Sequence, residues 1–190
     1  WAVLIGQVGD GVLISIFGIF FADSLYLATI LLMLAGLCDA FDGIFARMYK
    51  RTELEENFGV QIDSFADLIS FGLFPAKIYI SYFSKNIYMS FVLVSLYILA
   101  VIIRLAYFNC KGSEDKLYFT GLAVTYSAFF ISLYAVISKY AERFLALPIE
   151  CLYVFLILAF LWNKKIKKPN LYIRIAFLIL AIVFIALLLI

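Results

Sequence analysis

The stretch that decides the interpretation of this chain runs from Cys38 to Asp67 and reads CDAFDGIFARMYKRTELEENFGVQIDSFAD. It contains four aspartates, at positions 39, 42, 63 and 67, so the members of each pair are three or four residues apart. At about 100° per residue, such pairs share one face of an α-helix. The stretch therefore predicts two neighbouring helices that each present two carboxylates on one face.

The rest of the chain is too apolar for an ordinary soluble domain. Of its 190 residues, 66% are hydrophobic and 15% are charged, whereas soluble proteins carry roughly 25% charged residues. Apolar runs long enough to cross a bilayer as helices recur at about 2–21, 24–46, 59–83, 87–108, 117–138, 145–162 and 171–190. We therefore predict an all-α, polytopic integral membrane protein, with no nucleic-acid partner.

Most of the basic residues fall at alternate connections, after the second, fourth and sixth apolar runs. These residues are Arg47, Lys50, Arg51, Arg104, Lys111, Lys116, Lys164, Lys165, Lys167, Lys168 and Arg174. The positive-inside rule makes these connections and the N-terminus cytoplasmic. We expect a protein of the cytoplasmic membrane whose aspartates face the cytosol, and no cleavable signal peptide.

The polar interval 48–57 contains a helix-start signal. Thr52 followed by Glu55 fits a capping box, in which each residue bonds to the backbone N–H of the other. Glu53, Glu55 and Glu56 then stand in the first turn, where acidic side chains favour the helix dipole. We therefore assign these glutamates to starting the third helix and not to chemistry.

The four aspartates are predicted to meet at one depth, because the short connection makes the second and third helices antiparallel neighbours. A carboxylate inside a membrane is costly, and four together repel one another unless cations hold them. The chain has no histidine, which excludes His-ligated zinc and a Ser-His-Asp triad. Ligands that are all oxygens favour Mg²⁺ or Mn²⁺, and two such ions are a recurring device for phosphoryl transfer.

Two competing hypotheses assign the aspartates a different role. Single aspartates at such positions are usually helix caps or ion-pair partners, but four on facing helices with small residues between them argue against that role. A small cation transporter or channel would also use carboxylates. It would not explain why Gly43, Ala46 and Arg47 accompany them, nor the lack of polar residues through the outer half of the predicted bundle.

The order of these residues resembles the defining motif of the CDP-alcohol phosphotransferase family. The pattern is Asp39-x2-Asp42-Gly43-x2-Ala46-Arg47-x11-Gly59-x3-Asp63-x3-Asp67, which supplies all eight defining residues. The spacer of 11 residues is longer than the common spacer of about eight, and the excess falls in the loop 51–56.

The resemblance implies an enzyme that displaces CMP from a CDP-linked lipid with an alcohol. It implies that Asp39, Asp42, Asp63 and Asp67 bind two divalent cations and that Asp67 deprotonates the acceptor hydroxyl. It also implies a CDP-diphosphate site, formed by Asp39, Gly43, Ala46, Arg47 and Gly59. The implied fold is a six-helix core, about 1–163, plus a seventh helix at about 171–190, in one transmembrane catalytic domain. Relatives are often homodimers, so a homodimer is expected.

Further stretches resemble the phosphatidylserine synthase branch of that family. They are QIDSFADLISFGLFPA (61–76), IRLAYFN (103–109), YFTGL (118–122) and KIKKPN (165–170). Two positions depart from the pattern: Tyr107 replaces a second arginine, and Ala123 replaces a proline. The resemblance implies CDP-diacylglycerol, or an archaeal CDP-lipid, as donor and L-serine as acceptor.

The sequence determines the acceptor site less well than the metal and CDP sites. Arg104 is a natural partner for an anionic group, either a serine carboxylate or a lipid phosphate, and Asn109 and Lys111 could assist. The competing interpretation of Arg104 is a side chain that only extends to the membrane surface. The same chemistry on glycerol 3-phosphate, inositol or choline stays open, although a sugar-phosphate acceptor would want more cationic residues than we count.

Overall fold

A computed structural model of the chain describes residues 2–45, 52–111, 118–140, 148–167 and 171–189. Side chains are described for residues 9–40, 52–110, 121–140, 148–164 and 176–189. The predicted positions Ala46 and Arg47 lie outside the described residues. For Asp42 and Lys111, only the helical backbone is described.

Helices dominate the described residues, which confirms the predicted fold class in its main feature. They are α1 (Ala2–Phe21), α2 (Leu25–Phe45), α3 (Glu53–Asp67), α4 (Phe74–Tyr82), α5 (Ile87–Lys111), α6 (Tyr126–Tyr140), α7 (Ile149–Leu161) and α8 (Leu171–Leu189). A π-helical turn, Leu68–Leu73, joins α3 to α4, so one helical segment covers the third predicted apolar run.

The start of α3 agrees with the capping box predicted from the sequence. The backbone N–H of Glu55 donates to the Thr52 hydroxyl over 3.4 Å. In return, a carboxylate oxygen of Glu55 accepts from the Thr52 backbone N–H over 2.9 Å. This reciprocal pair fixes the first residue of α3 as Glu53, nearly three turns ahead of Asp63, the first aspartate of that helix.

The fifth predicted run, 117–138, is helical only from Tyr126, which corrects its predicted start. Its first residues form strand β1 (Tyr118–Thr120), which pairs antiparallel with β2 (Lys165–Lys167) in a two-stranded ribbon. Gly121 ends β1 with φ +73°, a conformation that non-glycine residues rarely adopt. Its N–H donates to the Lys164 carbonyl over 2.8 Å, which ties the turn after β1 to the residue before β2.

The main apolar core lies where α4, the π turn, α5 and α7 meet. Tyr97 of α5 and Tyr153 of α7 are both 0% exposed, and their rings are 5.1 Å apart. Phe71 and Phe74 are buried in the same cluster. A second, smaller cluster joins α8 to α2 and α6 through Met33, Val136, Ala181 and Phe184. The C-terminal helix is therefore packed on the bundle by apolar contacts of its own.

One helix in the described part of the chain, Ile87–Cys110, is long and apolar enough to cross a membrane, with mean hydropathy 2.4. Its outer face carries large apolar side chains, among them Tyr88, Met89 and Phe91, each at least 70% exposed. Exposed apolar surface of this extent marks a membrane or partner interface. The shorter apolar helices are Gly9–Phe21, Leu25–Ala40, Ile149–Leu161 and Ala176–Leu189. That any of these helices spans a bilayer stays a prediction.

Candidate active site

Three of the predicted aspartates line one pocket. Asp39 reaches it from α2, and Asp63 and Asp67 reach it from α3. The cavity measures about 20 Å³, and its other lining residues are Gly11, Val12, Ala35, Ala66, Ser70 and Phe71. A space of this size holds one or two water-sized species. One aspartate of α2 and two of α3 therefore face a common cavity.

The pocket is an acidic one. Asp67 is close enough to Asp39 and Asp63 to interact electrostatically with both carboxylates. Asp39 and Asp67 are partly buried, whereas Asp63 is exposed. The lining residues include acidic side chains and one hydroxyl but no lysine or arginine. Like charges around so small a space repel one another, and a bound cation would offset that repulsion.

The donor chemistry at this pocket fits a hard divalent cation. Its polar side chains, three carboxylates and the Ser70 hydroxyl, offer only oxygen, the ligand that Mg²⁺ and Mn²⁺ prefer. Among the described side chains, no three acidic or thiol groups come close enough together to form a complete ligand set. The fourth predicted ligand, Asp42, belongs to α2, but its side chain is not among those described.

Helix α1 forms one wall of the pocket, a contribution that the sequence did not predict. Ser15 is 0% exposed, and its hydroxyl lies 2.8 Å from the Ser70 hydroxyl oxygen and 2.8 Å from the Gly11 carbonyl oxygen. A Cβ added at Gly11 would stand 3.6 Å from the Ala35 carbonyl oxygen, so the backbones of α1 and α2 approach closely there. The small and polar residues Gly9, Asp10 and Gly11 in the first apolar run are the signal that could have found this contact.

The π turn begins directly after Asp67 and carries Ser70 and Phe71 into the pocket wall. Its wider winding is shown by the N–H of Phe74, which donates to the carbonyl of Ile69, five residues earlier. Single π turns inside α-helices occur frequently at functional sites. Here the turn sets the direction of two pocket residues relative to Asp63 and Asp67.

The predicted CDP-site residues are only partly described. Gly59 is buried, one turn before Asp63 on α3. Gly43 belongs to the final residues of α2, beyond the described side chains. The described residues therefore do not test whether the predicted diphosphate site forms.

The predicted acceptor residues lie on two different faces of α5. The Asn109 amide donates to the Ser64 hydroxyl over 2.8 Å, which places it beside Asp63. Arg104 instead donates from Nε to the Leu122 carbonyl over 2.8 Å and from Nη2 to the Gly121 carbonyl over 3.3 Å. Arg104 is 5% exposed, so it does not simply extend to the surface. Hydrogen bonds thus join three of the stretches that suggested the serine branch, 61–76, 103–109 and 118–122. Within the last of these, residues 118–120 pair with 165–167, which belong to the fourth stretch.

Comparison with known proteins agrees with the motif. A model of the CDP-alcohol phosphatidyltransferase family matches residues 8–189. Archaetidylserine synthase of Methanothermobacter thermautotrophicus is 35% identical over 119 residues, which are 63% of this chain and 50% of that protein. A CDP-diacylglycerol–serine O-phosphatidyltransferase of Helicobacter pylori is 29% identical over 170 residues, which are 85% of this chain and 69% of that protein. The chain thus spans about half the length of the archaeal relative. No solved structure matches it.

Proposed function

The chain belongs to the CDP-alcohol phosphatidyltransferase family, and from this premise we propose that it transfers a phosphatidyl or archaetidyl group from a CDP-linked lipid to the hydroxyl of L-serine, releasing CMP. The observation that carries the proposal is the pocket on which Asp39, Asp63 and Asp67 converge. The names of the archaeal and bacterial relatives support serine as the acceptor.

In the proposed reaction, Asp67 accepts the proton of the serine hydroxyl as that oxygen attacks the lipid-side phosphorus of the diphosphate. A new P–O bond forms to serine, and the bond from the same phosphorus to the bridging oxygen breaks. CMP leaves with that oxygen and its electron pair. A carboxylate acting as general base contributes typically about 10²–10⁴-fold to the rate.

The remaining site residues hold the substrates. Asp39, Asp42, Asp63 and Asp67 would hold two divalent cations, Mg²⁺ or Mn²⁺, which supply positive charge to the phosphoryl oxygens when bound. Arg47 would bind the diphosphate of the CDP-lipid, because a guanidinium pairs well with phosphate. The small residues Gly43, Ala46 and Gly59 would let that diphosphate approach the helix backbone. Asn109 and Lys111 would orient the acceptor, and Asn109 is supported by its contact with Ser64, next to Asp63.

The proposed setting is the cytoplasmic membrane, with the pocket and the N-terminus toward the cytosol. The chain would form one transmembrane catalytic domain over 1–190, with a core of about 1–163 and an added helix over about 171–190, and would pair as a homodimer. The apolar outer face of Ile87–Cys110 supports contact with lipid. The lipid tails of the donor would then stay in the bilayer while serine enters from the aqueous side.

The proposal is tested by CMP release from the purified protein in neutral detergent. The donors are CDP-diacylglycerol and CDP-archaeol, and each is tried with serine, glycerol 3-phosphate, inositol and choline in Mg²⁺ or Mn²⁺. We expect release that depends on both serine and metal. Stimulation by another alcohol but not by serine would reject the acceptor, and absence of metal-dependent CMP release with every alcohol would reject the chemistry.

The base is tested by Asp67→Asn, which keeps the size of the side chain but cannot take a proton. We expect CMP release to fall at least about 100-fold, with binding of the CDP-lipid still measurable. Asp23→Asn is the matched control, because Asp23 is exposed in the connection between α1 and α2. A variant at position 67 that keeps most of the rate would show that another group is the base.

A further inference from the structure

A second, larger cavity lies between the C-terminal ends of α5 and α7. It measures about 220 Å³ and is lined by Ile103, Arg104, Tyr107, Phe160, Leu161, Trp162 and Asn163. None of these residues lines the aspartate pocket. We call it the Arg104 pocket.

The charge of Arg104 lacks an acidic partner in the described part of the chain. The guanidinium donates to the carbonyls of Gly121 and Leu122. Carbonyl oxygens satisfy donors but do not neutralise a positive charge. A buried charge is costly unless it is paired, so an anion in the adjoining cavity would complete this site.

The Arg104 pocket and the contact between Asn109 and Ser64 lie on different faces of α5. Arg104 and Asn109 are five residues apart, so their side chains leave the helix about 140° apart at 100° per residue. Asn109 faces Ser64 on α3, whereas Arg104 faces the turn before α6. The two cavities share no lining residue, so the Arg104 pocket is a site apart from the three aspartates.

The mouth of the pocket has the chemistry of a membrane surface. The Tyr107 hydroxyl donates to the Asn163 side-chain oxygen over 3.4 Å, and the Lys164 ammonium lies 5.3 Å from the centre of the Trp162 ring. Tyr and Trp are enriched at membrane–water interfaces. Basic pockets between membrane helices on the cytoplasmic side bind phospholipid head groups. The volume is below the roughly 300–1,000 Å³ of typical ligand sites, which suits a head group better than a nucleotide.

We propose that the Arg104 pocket binds the phosphate-bearing head group of an anionic phospholipid, separately from the catalytic site. Arg104 forms the floor and pairs with the phosphate, and the amide of Asn163 and the ammonium of Lys164 contact it from the rim. The acyl chains extend along the exposed apolar face of α5. This inference rests on the proposed membrane setting but does not depend on the identity of the acceptor.

The chain offers an internal probe for this site. It contains two tryptophans, Trp1 and Trp162, so Trp1→Phe leaves Trp162 as the sole emitter. In neutral detergent, dihexanoyl phosphatidylglycerol should produce a saturable change in Trp162 emission that dihexanoyl phosphatidylcholine does not. An equal response to phosphatidylcholine would overturn the proposal. So would saturation by inorganic phosphate or by L-serine at comparable concentration, which would assign the pocket to a free anion or to the acceptor.

The rim is tested with Asn163→Asp, since an exposed position tolerates the change and the new carboxylate repels phosphate. We expect at least fivefold weaker binding of phosphatidylglycerol. Asn86→Asp is the matched control, because Asn86 is exposed and its side-chain oxygen accepts from Tyr88 N–H at the other end of α5, which aspartate can also do. Equal affinities in the two variants would overturn the proposal. Arg104→Gln is not used, because it would also disturb the 121–122 turn.

The titration is repeated in the Asp67→Asn background, which separates this inference from the proposed reaction. We expect CMP release to be lost there while phosphatidylglycerol binding keeps the same affinity. Loss of both would mean that the lipid enters the catalytic site, and would contradict a separate pocket. Absence of serine-dependent CMP release in the parent protein would reject the reaction and leave the binding result intact.

Discussion

The Tyr97 hydroxyl donates a 2.6 Å hydrogen bond to the backbone carbonyl of Phe71, an oxygen that lacks its regular α-helical donor. In a regular helix its donor would be the N–H of residue 75, but Pro75 has none. Tyr153 makes the corresponding bond to the Pro75 carbonyl over 2.7 Å. Two buried tyrosines on α5 and α7 therefore fix the segment in which the aspartate-bearing helix changes its winding.

Tyr97→Phe should lower the free energy of unfolding by about 1–3 kcal/mol, because it leaves a buried carbonyl without a donor. The measurement is the unfolding midpoint of the purified protein in detergent. Tyr88→Phe on the same helix is the control, since Tyr88 is 81% exposed. Equal midpoints for the two variants would mean that the Phe71 carbonyl finds another donor.

Gly18→Ala should destabilise the bundle by about 1–3 kcal/mol, the usual cost of overpacking a core. A Cβ at Gly18 would overlap the ring of Phe74, which is 0% exposed and cannot easily move. Gly9→Ala on the same helix is the control, because a Cβ there meets no described atom within 4 Å. A Gly18→Ala protein as stable as the Gly9→Ala protein would show that α1 is not packed against α4 as described.

Asn109→Ala should raise the KM for serine at least fivefold and change the KM for the CDP-lipid little, if its amide orients the acceptor. Ser64→Ala is the informative control, because it removes the same hydrogen bonds between α3 and α5 but keeps the amide. If both variants have the same kinetic defect, Asn109 only holds the two helices together.

Removal of divalent cations with EDTA should abolish CMP release, and added Mg²⁺ or Mn²⁺ should restore it. Asp63→Asn should raise the metal concentration required for half-maximal rate at least tenfold, since it removes a charged ligand. Glu53→Gln on the same helix should leave that concentration unchanged, because Glu53 is exposed at the helix start. Activity that resists EDTA, or an unchanged metal requirement in Asp63→Asn, would contradict the proposed ligand set.

The sequence predicted the features that depend on local spacing. The four-residue interval between Asp63 and Asp67 placed both on one face of α3, since helix geometry fixes which residues share a face, and both line the pocket that Asp39 also lines. The capping box at Thr52 was predictable for the same reason, because its two partners are three residues apart.

What the sequence did not predict depends on contacts between distant residues. Strands β1 and β2 are three residues long and about 45 residues apart, too short for an alternating pattern to be visible. The bond between Ser15 and Ser70 joins residues 55 positions apart on separate elements. Gly72 and Pro75 mark an irregularity in the third apolar run, but only tertiary hydrogen bonds decide that it becomes a π turn.

That π turn lets the two halves of one helical segment be aligned independently. Upstream, Asp63 and Asp67 must face α2; downstream, Phe74 and Tyr79 must face the apolar core. Each extra residue in a turn rotates everything after it by about 100°. Removing one residue between Leu68 and Leu73 would turn the aspartates away from α2 or the aromatic side chains away from the core. The chemistry of the pocket is therefore tied to the length of a short apolar stretch that carries no charge of its own.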